Sequence, residues 1–94
     1  MTVYAVRYTY NDNTDALLAT RPLHRAWLAE RLAAGDLLAS GPFADGTGGA
    51  LLVFRAGTDD ELADHLAHDP YAARGVLASV ETHAWEQVFG PWAD

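Results

Sequence analysis

The segment ALLVFR at residues 50–55, followed closely by TDDE at residues 58–61, decides the fold of this chain. The first segment is almost continuously apolar, which is typical of a strand buried on both faces. In the second, a threonine stands three residues before a glutamate. This is the capping-box spacing that begins a helix, and the acidic residues suit the positive end of the helix dipole. Leu62 and Leu66 then mark the buried side of that helix.

A strand and a longer helix are predicted upstream. Residues 3–10, VYAVRYTY, alternate tyrosine and valine with other residues, and their β-branched and aromatic content favours a central strand. Thr20 is a suitable helix N-cap, and Pro22 falls in the first turn, where the missing N–H of proline costs little. We expect this helix to run to Ala34, because Gly35 is a natural helix end.

The remaining segments complete a β-α-β-β-α-β order. In chain order they are a short strand at residues 37–43, a glycine-rich hairpin loop at 45–49, the strand at 50–55, the capped helix ending at Asp69-Pro70, one helical turn at 71–75 and a long last strand at 76–88. This order is the split pattern of ferredoxin-like domains. We therefore expect a single α+β domain over residues 1–94, with a four-stranded antiparallel sheet and both helices on one face.

The charge balance excludes several partners. Thirteen acidic residues face six arginines and no lysine, for a formal net charge of −7. Nucleic acids and anionic membrane surfaces both require a basic patch, and the chain has none. No apolar run is long enough to span a bilayer, and the N-terminus lacks a signal pattern, so we expect a cytoplasmic protein. The absence of cysteine excludes disulfides and thiolate metal sites.

The open face of the predicted sheet favours a homodimer. Along the last strand, both alternating faces mix polar with apolar or aromatic residues, so neither is a purely solvated surface. A half-apolar open face needs a partner, and the simplest is a second copy packed sheet to sheet about a twofold axis.

The first helix places a histidine against the sheet. His24, Leu28 and Leu32 follow an i, i+4, i+8 row, while Arg25 points away from it. Imidazole both accepts and donates protons near neutral pH, which suits acid–base catalysis. From the residues alone two interpretations stay open, because a histidine on a buried helix face is often only structural. An aspartate before a proline, as at Asp69, is often only a cap or turn former.

Several short motifs carry a family resemblance. They are Arg21-Pro22-Leu23-His24, Trp27-Leu28, Gly35 with Leu38, Ser40-Gly41-Pro42-Phe43, Asp69-Pro70-Tyr71 with Gly75-Val76, and His83-Ala84-Trp85. In this order and spacing they resemble the YCII-related (YciI-like) family over essentially the whole chain. The resemblance implies a ferredoxin-like subunit that dimerises into an α/β barrel, with a His–Asp pair at its active site. By position that pair is His24 and Asp69, and Arg21 matches a recurrent arginine.

The resemblance and the chemistry together predict a site for a small molecule. We expect His24 to act as general base or acid with Asp69 as its orienting partner, and Arg21 to bind an anionic group. The expected ligand contacts are completed by Ser40, Tyr71 and Trp85. The predicted activity is that of a lyase or isomerase without cofactor, acting on a small anionic metabolite. The alternative is a non-catalytic dimeric ligand-binding or accessory module, in which the His–Asp pair is a structural hydrogen bond.

Two other features have simpler explanations. His65 and His68 have an i, i+3 spacing compatible with two metal ligands, but no further ligand is placed by the sequence, so no metal site is expected. The glycine-rich loop at 46–49 has neither the lysine nor the following helix of a phosphate-binding loop.

Overall fold

The computed structural model describes residues 1–93 and has the predicted α+β, ferredoxin-like order. Its sheet is four-stranded and antiparallel, with strand order β2-β3-β1-β4. The elements are β1 (Thr2–Tyr10), α1 (Thr14–Ala34), β2 (Leu37–Pro42), β3 (Gly49–Ala56), α2 (Asp59–Ala67), the one-turn α3 (Pro70–Ala73) and β4 (Leu77–Ala84). Within residues 1–93, none of the helices is long and apolar enough to cross a membrane.

The core lies between the sheet and the helices. Alternate residues of β1 point to this side, and Tyr4, Val6 and Tyr8 are all buried. Their partners on β3 are equally buried, in the register Tyr4↔Phe54, Val6↔Leu52 and Tyr8↔Ala50. The predicted central position of the first strand is therefore confirmed. Because tyrosines take two of these three β1 positions, polar hydroxyl groups enter the core and require partners there.

The first helix begins earlier than predicted. Asn13 is the N-cap, and its side chain accepts a hydrogen bond from the Ala16 N–H at 3.3 Å. Thr20 is not a cap. It is buried inside the helix, where its hydroxyl donates to the Ala16 carbonyl at 2.7 Å. Pro22 is also internal, and the hydrogen bond it removes is the one to Leu18, which lies on the exposed side of the helix.

The end of α1 is as predicted, but its buried face is rotated. Gly35 closes the helix with a left-handed φ of 91°. The buried residues are Leu17, Thr20 and His24, whereas Leu32 is 57% exposed. An i, i+4, i+8 row turns by about 40° at each step of four residues, so it leaves the buried face after two steps. The prediction was right for His24 and wrong for Leu32.

The second half follows the predicted pattern with local differences. Thr58 caps α2, and its hydroxyl accepts from the Glu61 N–H at 3.1 Å. The Glu61 carboxylate accepts from the Gly57 N–H at 2.6 Å, one residue earlier than in a standard capping box. Strand β4 ends at Ala84 rather than at residue 88. The reason is that Ala84 pairs with Tyr4, so β1 has almost no backbone left to pair with beyond it.

The face of the sheet away from the helices is open. On β3, Val53 is buried but Leu51 is 41% exposed, so the predicted burial of residues 50–55 on both faces is only partly correct. Strand β4 is exposed on both of its faces after Leu77. Arg7 and Glu81 approach to 4.0 Å across this open face, and both are about half exposed. The homodimer that would cover these residues stays a prediction.

Candidate active site

Three elements bring a buried polar network together. Helix α1 carries His24, strand β1 carries Tyr8, and Asp69 stands between α2 and α3. Asp69 is the N-cap of α3, where its carboxylate accepts from the Tyr71 N–H at 3.0 Å and Pro70 occupies the first helical position. The aspartate before proline is therefore a helix cap, as the simpler interpretation holds. The cap geometry also aims its carboxylate at α1.

The carboxylate of Asp69 accepts three hydrogen bonds. His24 Nδ1 lies 2.7 Å from Asp69 Oδ1, and the Tyr8 hydroxyl donates to Asp69 Oδ2 at 2.7 Å. The third bond is the cap from Tyr71. Asp69 is 0% exposed and His24 is 7% exposed, so the hydrogen bond between them is shielded from water. Since an ionised carboxylate only accepts, the network assigns the proton to Nδ1 and leaves Nε2 of the neutral ring as an acceptor.

Tyr8 is a permanent donor in this network. Burial raises the pKa of its hydroxyl far above the ordinary value, and the charge of Asp69 and the hydrogen bond to it raise it further. The phenol therefore stays protonated at neutral pH and holds one oxygen of the carboxylate in place.

A ring stack fixes the orientation of the imidazole. The rings of His24 and Tyr71 are nearly parallel, 8° apart, with centroids separated by 3.8 Å. Tyr71 is itself 2% exposed, so it forms a rigid support. A hydrogen bond at Nδ1 and a stacked ring face leave the imidazole little freedom to rotate.

The other ring nitrogen is open to a cavity. Among residues 1–93, no hydrogen bond involves His24 Nε2. Every buried side-chain N or O atom in this part of the chain has a hydrogen-bond partner, so Nε2, which has none, is not buried. Nε2 is therefore accessible from the adjoining cavity, which His24 lines. This cavity has a volume of about 250 Å³ and lies between α1, α3 and strands β2 and β3. Its polar lining comes from His24, Arg21, Arg25, Ser40, Tyr10 and Tyr71.

The structure brings most of the predicted site residues together. Arg21, Ser40 and Tyr71 line the cavity with His24, and Asp69 lies behind the imidazole. Trp85 is not brought to it and lies beside Val3 instead. Because β4 is antiparallel to β1, the end of β4 lies beside the start of β1, whereas the cavity adjoins the far end of that strand at Tyr10.

Sequence reasoning missed three residues of the site. Tyr8 and Tyr10 are on the helix-facing side of β1, where Tyr8 is buried and Tyr10 is half-buried. A buried tyrosine hydroxyl needs a polar partner, and this was the available signal for Tyr8. Arg25 was predicted to point away but lines the cavity. The signal there was its position one helical turn after Arg21.

The two histidines of α2 have other partners. The His68 Nδ1–H donates to the Asp64 carbonyl at 2.7 Å, and His65 Nε2 lies 3.9 Å from Asp36. Across residues 1–93 no group of three or more histidine, aspartate or glutamate side chains is arranged to hold a metal ion.

Comparison with known proteins agrees with this architecture. The family model of the YCII-related domain matches residues 1–86. The chain belongs to this family. No curated protein matches the YCII-related chain.

Solved structures share its fold. A 5-chloro-2-hydroxyhydroquinone dehydrochlorinase, TftG from Burkholderia phenoliruptrix AC1100, is similar with a TM-score of 0.81 and 18% identity, covering 98% of this chain and 99% of that one. A NIPSNAP family protein from Agrobacterium tumefaciens has a TM-score of 0.59 and 19% identity, with 96% of each chain covered. Rv0793 from Mycobacterium tuberculosis has a TM-score of 0.55 and 17% identity, covering 94% of this chain and 98% of that chain. At these identities the likeness extends to the fold alone.

Proposed function

We propose that this YCII-related protein is a cofactor-independent acid–base enzyme of the lyase or isomerase type, which acts on a small anionic metabolite. One observation carries the proposal: His24 Nδ1 is tied to a buried carboxylate at 2.7 Å while the same ring lines an open cavity. A purely structural histidine needs no cavity at its second nitrogen. A general base needs one, because the proton that it removes must come within hydrogen-bond reach.

The reaction follows from the network. His24 Nε2 removes a proton from a carbon next to a carbonyl group, and the electron pair of that C–H bond moves toward the carbonyl oxygen. Asp69 stabilises the imidazolium that forms, as the carboxylate does in other His–Asp pairs. The electron pair then returns to expel a leaving group from the neighbouring carbon, or Nε2 gives the proton back at another carbon. General acid–base catalysis of this kind contributes about 10²–10⁴-fold in rate.

The cavity favours a small anion. Arg21 lines it, and a guanidinium matches the two oxygens of a carboxylate. In the described part of the chain, residues 1–93, no aspartate or glutamate lines it. The volume of about 250 Å³ lies just below the ~300–1,000 Å³ of pockets for drug-sized ligands, which fits a single-ring or short-chain metabolite.

The most similar of the three structures described above supports the lyase type. TftG is named a dehydrochlorinase and is in complex with 2,5-dihydroxybenzoquinone. Dehydrochlorination pairs the removal of a proton with the loss of chloride, which is the elimination form of the reaction proposed here. The same quinone is therefore a suitable first probe for this chain.

We also propose that the protein works as a homodimer through its open sheet face. Leu51 of β3 lies on this face, opposite Arg7, and is 41% exposed, which is unfavourable for a free monomer. Light scattering should give about twice the chain mass of 10.2 kDa. A monomer at micromolar concentration would exclude this arrangement.

The test compares His24→Gln with His68→Gln, which changes an exposed histidine outside the cavity. Binding of 2,5-dihydroxybenzoquinone and turnover on a panel of chlorinated hydroxyquinones, lactones and 2-oxo acids are measured for both variants and the wild type. We expect the His24 variant to lose turnover while its sheet and its oligomeric state are unchanged. If it is only less stable and turns over every substrate of the wild type at the same rate, the pair is structural and the accessory-module alternative is right.

A further inference from the structure

The cavity beside His24 holds two arginines. Arg21 and Arg25 both line it, and they are four residues apart on α1. Side chains at this spacing are neighbours, with Cβ atoms about 5–6 Å apart. The chain has six arginines and no lysine within a net charge of −7. A third of its basic residues therefore face one cavity.

Within residues 1–93, neither of these arginines has an acidic partner. Among residues 1–93, the arginines within 4.0 Å of a carboxylate are Arg7 and Arg31, both outside the cavity. Asp69 is completely buried behind the imidazole, and its oxygens accept from His24, Tyr8 and Tyr71. The two positive charges at the cavity are therefore left for a ligand.

The rest of the lining is apolar. Leu28, Ala50 and Leu52 contribute to the walls, together with Pro42. Such walls suit a short hydrocarbon segment or a ring, whereas the arginines suit acidic groups attached to it.

We propose that the ligand of this cavity is a dianion with a short apolar framework, and that Arg25 determines specificity by binding its second acidic group. The inference rests on the proposed function, since it concerns the same cavity, and it adds Arg25 to the ligand contacts. Arg21 binds one acidic group and Arg25 the other, because each guanidinium matches one carboxylate.

The experiment uses pairs of ligands that differ by one charge. Malonate, succinate and glutarate are each compared with their monoamides, which have nearly the same size and shape. Affinities are measured at constant ionic strength for the wild type, Arg25→Gln and Arg74→Gln. Arg74 is exposed and lies outside the cavity, so its variant controls for the loss of one positive charge from the chain. The imidazole signals of His24 are followed by NMR in the same titrations and report whether the ligand enters this cavity.

We expect the wild type to prefer at least one diacid over its monoamide. In Arg25→Gln the affinity for that diacid falls about five-fold, as for an exposed ion pair, while the affinity for the monoamide changes less than about two-fold. Arg74→Gln keeps the wild-type preference. The dianion proposal is overturned if the wild type binds both members of every pair equally. It is also overturned if Arg25→Gln loses as much affinity for the monoamide as for the diacid. In either case, shifted His24 signals leave the proposed function standing. If no ligand moves those signals, both proposals fail.

Discussion

The hydroxyl group of Tyr8 gives the most direct test of the buried network. Replacing Tyr8 with phenylalanine keeps the ring, which packs in the core at 1% exposure, and removes only the donor to Asp69 Oδ2. No water can take its place without opening the core, because Asp69 is 0% exposed. The variant therefore leaves a charged oxygen with one fewer donor and changes almost nothing else.

The size of the effect follows from this burial. Hydrogen bonds to charged groups contribute about 1.5–3 kcal/mol, and the loss is not relieved by solvent here. We expect Tyr8→Phe to lower the free energy of unfolding by about 2 kcal/mol. For a domain of this size, that corresponds to a decrease in Tm of about 8–16 °C.

Tyr4→Phe is a matched control for this substitution. Tyr4 is on the same strand and the same face, and its hydroxyl donates to Asp59 at 2.6 Å. However, Asp59 lies at the exposed start of α2, where water can replace the lost donor. We expect a clearly smaller loss of stability than for Tyr8→Phe.

Both variants are measured by urea unfolding at equal protein concentration, since association would stabilise the folded state. The midpoint for Tyr8→Phe should fall by about 1 M with an unchanged m value. If the two variants have the same midpoint, the carboxylate of Asp69 does not depend on Tyr8, and the network as described here is wrong.

Three further predictions concern the site and its strand. Asp69→Asn should keep the fold but lower turnover by about 10²–10⁴-fold, as measured on whichever substrate the wild type converts. Burial raises the pKa of Tyr8, so the stability that its hydroxyl contributes is complete below about pH 10 and decreases as the pH rises further. Between about pH 9 and 11, the free energy of unfolding should therefore decrease less with pH for Tyr8→Phe than for the wild type. Gly49→Ala should cost at least about 2 kcal/mol, because its Cβ would lie 2.1 Å from the Tyr8 carbonyl oxygen, whereas Gly41→Ala, with nothing within 4 Å, should be nearly neutral in thermal unfolding.

The order of elements could be predicted from the sequence because each element has its own local signals. The start of α2 at Thr58 and the end of α1 at Gly35 each depend on residues only a few positions away, and both predictions are correct. The start of α1 was harder, because Asn13 and Thr20 are both good caps and Pro22 suits a first turn. Only packing against the sheet decides between them, and it selects the longer helix by burying Leu17.

The His–Asp pair itself could not be derived from spacing. His24 and Asp69 are 45 residues apart, and their 2.7 Å contact depends on how α1 crosses the junction of α2 and α3. The family resemblance supplied that pairing. It gave no indication that Arg25 lines the cavity. Arg25 was predicted on the outer side of α1, away from a buried row that ran from His24 to Leu32. Around the helix, Arg25 lies only about 40° from Arg21, so both reach the same cavity.

The capping role of Asp69 and its proposed catalytic role make different demands, and this separates the two interpretations. Asparagine caps a helix as well as aspartate does, but the Tyr71 N–H and His24 Nδ1 share one oxygen of Asp69, Oδ1. The amide of Asp69→Asn keeps the cap only with its single acceptor oxygen at the Oδ1 position, where it still accepts from His24. Its NH₂ group then meets the Tyr8 hydroxyl at the Oδ2 position, and the tautomer of the imidazole is unchanged. A structural pair tolerates this neutral acceptor, but a general base loses the negative charge that stabilises its imidazolium. In the proposed mechanism, the aspartate is therefore required by the charge beside the imidazole, and not by the helix that it caps.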